Sequence, residues 1–66
     1  MRIIVVGAGE VGTYVADRLS TQEHDVALIE SNRERYRQVE NDLDVLTIRG
    51  SGTDPETLSE AGIEHA

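Results

Sequence analysis

The chain contains no cysteine and no lysine, and its two histidines, His24 and His65, stand far apart. Without cysteine there is no disulfide framework, and without a cluster of Cys or His at ligand spacing there is no zinc site to replace one. All six basic residues are arginine, set against 13 acidic residues for a net charge of −7. Affinity for a phosphate backbone needs clustered Lys and Arg, so this balance argues against nucleic-acid binding. An acidic, lysine-free surface is also compatible with adaptation to high salt. No apolar run approaches the roughly 20 residues of a membrane span, and Ile3 to Val6 is too short for a signal-peptide core. A soluble, cytoplasmic chain without membrane insertion is therefore expected. At 66 residues the chain lies below the roughly 70–80 at which a hydrophobic core alone usually suffices. A bound ligand, a partner surface or further chain must add stability, and further chain is the expectation.

What the sequence does contain is ordered. Ile3-Ile4-Val5-Val6 is an unbroken β-branched run that reads as a strand buried on both faces, halted by Gly7-Ala8-Gly9. The period then becomes helical, with Val11, Val15 and Leu19 as the expected apolar stripe and Tyr14 as a packing residue. A polar turn from Thr21 to Asp25 ends the helix. Val26 to Ile29 reads as a second buried strand finishing on Glu30, and Ser31 or Asn32 suits the cap of a helix carrying Tyr36, Val39 and Leu43. Val45 to Ile48 reads as a third strand. Asp54 suits an N-cap, Pro55 the first helical position and Gly62 the stop of a last helix. Buried strands joined by helical crossovers predict an α/β fold, the βαβαβα N-terminal half of a Rossmann-like, doubly wound parallel sheet across residues 1–66.

The chemistry is concentrated in the first turn. Gly7-Ala8-Gly9-Glu10-Val11-Gly12 matches G-x-G-x-x-G directly between a buried strand and an amphipathic helix, the setting in which that pattern is informative. Gly7 permits the turn, Gly9 leaves room for a pyrophosphate against the backbone, and Gly12 lets helix and strand approach. Backbone N–H groups and the helix dipole would then hold the anion. Glu30 ends the second strand close to the roughly 20-residue spacing of a ribose-binding acid; its carboxylate suits both ribose hydroxyls and would repel a 2′-phosphate, which favours NAD over NADP. Arg33 and Arg35 have two readings, a solvated helix face or a contact to phosphate or adenine. The loop Gly50-Ser51-Gly52-Thr53 follows the third strand at the carboxyl edge, where it either lines an adenine pocket or simply connects. No Ser-His-Asp or Cys-His constellation can be assembled, and His24 and His65 read as solvated.

A resemblance then becomes specific. The runs IIVVGAGEVGTYVADRLS, DVALIESNRERYRQVE and DVLTIRGSGTDPETLSEAGIEHA cover nearly the whole chain. They resemble the start of a regulator-of-potassium-conductance (RCK or KTN) domain of the TrkA type. The distinctive parts are G-x-G-T-D-P-x-x-L-x-x-A-G-I from Gly50 to Ile63 and N-x-x-R from Asn32 to Arg35. The resemblance implies a regulator and not an enzyme: a cytoplasmic homo-oligomeric ring, peripheral to the membrane through a potassium transporter or channel subunit, whose shape changes on nucleotide binding. It further implies that Gly7 to Gly12 holds the pyrophosphate and Glu30 the ribose. The Ser31-Asn32-Arg33 turn and the Gly50 to Thr53 loop would border adenine. Glu10 stands where ATP-selective members carry arginine, which favours NAD or NADH over ATP or ADP. Ser51 departs from the acidic or other polar residue of many members, which leaves its contact open. Two alternatives remain: the cofactor-binding start of an NAD-dependent dehydrogenase, and a methyltransferase-like domain whose acid binds the ribose of S-adenosylmethionine.

Overall fold

The computed structural model describes residues 2–22 and 24–66. Its order is β1 (Arg2–Val6), α1 (Glu10–Thr21), β2 (Asp25–Glu30), α2 (Arg33–Asp42), β3 (Leu46–Arg49), α3 (Pro55–Glu60) and a 3₁₀ turn at Ile63–His65. The three strands form one parallel sheet in the order β1-β2-β3, which is the βαβαβα half-sheet that the periodicity predicts. The polar turn is shorter than predicted, because α1 runs through Thr21 and β2 begins at Asp25. Within it, Glu23 lies outside the described residues, as does the side chain of His65. β3 begins one residue later than predicted.

Alternation along β2 places the core. Val26 and Leu28 face α1 and α2, packing with Ala8, Ala16 and Val39. Ala27 and Ile29 face the other way, packing with Ile48 and Ala61 and with the half-buried Ile4 and Leu58. A central strand covered on both faces carries apolar side chains on both, and β2 is buried from Val26 to Glu30. β1 differs from its expected burial. It pairs only with β2, its residues are half-buried, and Val6 is 61% exposed.

The stripe expected on α1 is also corrected. Val11 is 77% exposed, Val15 is exposed and Tyr14 is 65% exposed, so Tyr14 is not a packing residue. The face turned to the sheet is instead the small-residue line of Gly12 and Ala16 followed by Leu19. The capping expectations resolve cleanly. Asn32, and not Ser31, caps α2, accepting the Arg35 amide at 3.0 Å. Asp54 caps α3 with Pro55 in the first turn, and Gly62 stands where α3 stops.

Candidate functional site

The parallel sheet brings three loops together at its carboxyl end. The ladder continues past the strands: the Gly7 amide donates to the Ile29 carbonyl at 2.8 Å, and the Gly50 amide donates to the Glu30 carbonyl at 3.0 Å. The glycine turn, the Glu30-Ser31 corner and the Gly50 loop therefore hang from successive carbonyls of one strand. Between them lies a cleft of about 500 Å³. Gly7, Glu30, Ser31 and the whole Gly50 to Thr53 loop line it.

Gly7 has φ +98°, a conformation that residues with a Cβ rarely adopt, so the sharp exit from β1 depends on glycine there. A Cβ on Gly12 would sit on the Gly7 carbonyl oxygen. Helix and turn are in direct backbone contact, and the Thr13 hydroxyl reinforces them by donating to the Ala8 carbonyl at 3.1 Å. Around Gly9 a Cβ would meet nothing within 4 Å.

The first intrahelical bond of α1 runs from the Thr13 amide to the Gly9 carbonyl. Helix geometry leaves the amides before it without intrahelical acceptors. In α2 and α3 a side chain meets this need; at α1 the N-cap is Gly9 and no side chain caps it. The amides of Gly9, Glu10 and Val11 are thus presented at the positive end of the helix dipole. Two amides of the motif are already engaged: Gly7 with Ile29, and Ala8 with Glu30.

Glu30 is the most constrained side chain of the site. It is 5% exposed. One oxygen accepts the Ala8 amide at 2.6 Å and the other accepts the Asn32 amide at 2.6 Å. Burial by itself pushes its carboxyl up, but the Ala8 and Asn32 amides and the Arg35 charge outweigh this and hold it below the ordinary carboxylate value. A carboxylate offers about four lone-pair positions. Two are used by amides, which leaves one on each oxygen, the arrangement a vicinal diol requires.

The Ser31-Asn32-Arg33 segment divides. Ser31 lines the cleft, Asn32 works through its backbone amide on Glu30 and its side chain on α2, and Arg33 is not among the lining residues. Arg35 is, together with Val6 and Ile29. Val6 and Ile29 escaped the sequence reading. Their signal was position alone, since Val6 is the last residue of β1 and Ile29 the last but one of β2. Ala8, Gly9 and Glu10 open instead on a groove of about 560 Å³ between α1 and α2, shared with Thr13, Tyr14 and Asp17. His24 lies at the opposite end of the sheet, and it is half-buried beside Arg2, Asp25 and Asp44 where the sequence reading has it solvated. Among the described residues no group of three or more His, Asp or Glu is placed to hold a metal ion, and no helix is long and apolar enough to cross a membrane.

A parallel half-sheet with a glycine turn, an open helix N-terminus and a buried acid ending the next strand is of the Rossmann-like class. The chain belongs to the TrkA-N domain family, whose model matches residues 3–66. It is similar over its full length to potassium uptake proteins of the Trk system. Identity is 47% to the TrkA homolog of Pyrococcus abyssi, 41% to that of Methanothermobacter thermautotrophicus and 38% to TrkA of Halomonas elongata. The chain spans 29%, 31% and 14% of those proteins, respectively.

Proposed function

We propose that this chain is the adenosine-holding part of a nucleotide-sensing regulatory module in a potassium uptake system, with NAD or NADH as its ligand and ATP or ADP as weaker ones. The observation that carries this reading is the pairing of Glu30 with the glycine turn. A buried carboxylate with two unused lone-pair positions lies one hydrogen bond from a turn whose next amides open at a helix N-terminus. The acid receives the ribose diol, the amides of Gly9 to Val11 receive the pyrophosphate, and adenine lies in the cleft against Ile29 and the Gly50 to Thr53 loop. Glu10, exposed at the first position of α1, disfavours the extra charge of a nucleoside triphosphate.

The module acts by conformational control. A ligand shifts an assembly only by the difference in its affinity for the two states, so the two shapes of the ring must differ around this cleft. The partners are further copies of the chain and a membrane potassium transporter or channel subunit, with the module on the cytoplasmic side. The potassium-uptake name shared by the relatives favours this reading over the cofactor-binding start of a dehydrogenase.

Calorimetric titration with NADH, ATP and S-adenosylmethionine tests the ligand. NADH is expected to bind most tightly, and Glu30→Ala to weaken it by about tenfold or more, the loss of roughly 1.4 kcal/mol or more in hydrogen bonding to a charged acceptor. Unchanged NADH affinity in Glu30→Ala refutes the ribose contact, and preference for S-adenosylmethionine refutes the family of ligands.

A further inference from the structure

Among the described residues two polar side chains are buried, Glu30 and Thr57, 5% and 6% exposed. Glu30 lines the cleft; Thr57, in α3, does not. A buried hydroxyl needs a hydrogen-bond partner to offset the loss of water. Thr57 Oγ1 donates to Asp54 Oδ2 at 3.0 Å, and Asp54 Oδ1 accepts the Glu56 amide at 3.2 Å. The Asp54 amide donates in turn to the Ser51 carbonyl at 3.0 Å. The same hydroxyl meets the other end of the loop by contact. A Cβ on Gly50 would stand 2.6 Å from Thr57 Oγ1 and 2.9 Å from its Cγ2, so the Gly50 backbone rests directly on this side chain. Gly50 lacks the positive φ of Gly7; space, and not backbone conformation, requires glycine there. One oxygen thus touches both ends of the loop. Between those ends the Gly52 backbone lies against the Val6 side chain, and Gly50 to Thr53 form a wall of the cleft.

We propose that Thr57 is a positioning residue of the cleft: its hydroxyl sets where the Gly50 to Thr53 wall stands relative to Ile29 and Glu30, without touching the ligand. The inference rests on the nucleotide-binding reading above, in which this wall faces adenine, and it adds to that site a residue outside the cleft. Valine has nearly the shape of threonine but carries a methyl in place of the hydroxyl. At this position it removes the donor from Asp54 Oδ2 and presses a larger group on Gly50. Serine keeps the oxygen at both contacts.

The test combines hydrogen exchange and calorimetric titration of the full chain with Thr57→Val and Thr57→Ser. Without ligand, the Gly50 amide should exchange about fivefold faster in Thr57→Val, while the Gly7 amide, bonded to the same central strand, keeps its rate. The Kd for NADH should rise about tenfold in Thr57→Val, the scale of one lost hydrogen bond, and stay within about twofold of wild type in Thr57→Ser. Inorganic pyrophosphate, which needs only the glycine turn, should displace NADH with the same affinity in all three proteins. Gly50→Ala, which sets its methyl against the same oxygen, should reproduce the Thr57→Val pattern and supplies the test where that variant melts too low to titrate. Equal losses of NADH and pyrophosphate, or faster exchange at Gly7 as well as Gly50, mark general loosening and overturn the positioning role while leaving the nucleotide site standing. Unchanged NADH affinity in Thr57→Val overturns it too. Absence of NADH binding in wild type overturns the site reading and this inference with it.

Discussion

The Glu30 carboxylate and the Ala8 amide, 22 residues apart in sequence, are joined by a buried hydrogen bond of 2.6 Å. With the Asn32 amide on its other oxygen, Glu30 ties the end of β2 to the glycine turn before α1 and to the start of α2. One side chain therefore serves the fold and the candidate site together.

Acid should expose this dual role. Because the folded-state pKa of Glu30 is lowered, its contribution to stability is fully present above the unfolded carboxylate pKa and is lost as pH falls through the lower, folded value. Glu30→Gln should destabilise the protein at neutral pH by roughly 2 kcal/mol, since an amide NH₂ then faces one of the two backbone donors. It should also flatten the acid limb of the stability profile. Urea denaturation of both proteins between pH 3 and about 7 measures this, and parallel profiles would contradict the assignment.

The glycines of the turn should separate stability from binding. Gly12→Ala places a methyl on the Gly7 carbonyl oxygen and should cost about 3 kcal/mol, the upper part of the range for overpacking. At Gly9 the backbone is extended at φ −71° and the added methyl meets open space. Gly9→Ala should melt close to wild type yet lose NADH binding, because the methyl occupies the approach to the Glu10 and Val11 amides. Thermal melts with and without NADH distinguish the two variants.

Charge at the head of α1 should set tolerance for phosphate. Glu10→Gln removes an exposed negative charge beside the uncapped amides of α1, and ATP affinity should rise by about threefold or more, with NADH rising less. Titration at low and high salt provides the check, since the gain should shrink on screening.

Much of this architecture is legible in the sequence because its signals are local. β-Branched runs, glycine punctuation and the Asp54-Pro55 helix start act within a few residues, and the element order follows from them. Hydrophobicity points to the wrong face of α1 because it ranks valine above glycine and alanine. Close approach decides instead: α1 lies against the Gly7 carbonyl, so Gly12 and Ala16 turn inward and Val11 and Val15 turn away. Arg33 and Arg35 were inseparable for a related reason. Moving the cap of α2 by one residue rotates every later position by about 100°, and Ser31 and Asn32 are both good caps. The two amides on Glu30 were invisible for another reason, because one of them comes from a segment that meets Glu30 only once the sheet has formed.

The hydrogen bonds from Gly7 to the Ile29 carbonyl and from Gly50 to the Glu30 carbonyl make β2 a common ruler for its neighbours. The turn after β1 and the loop after β3 each take their height from β2, and they meet where the Gly52 backbone lies against the Val6 side chain. An insertion between Ser51 and Asp54 would reshape the wall of the cleft that this loop forms and leave the hydrogen bond of Gly7 to β2 in place. Each wall of the cleft is thus anchored to the same central strand through its own hydrogen bond.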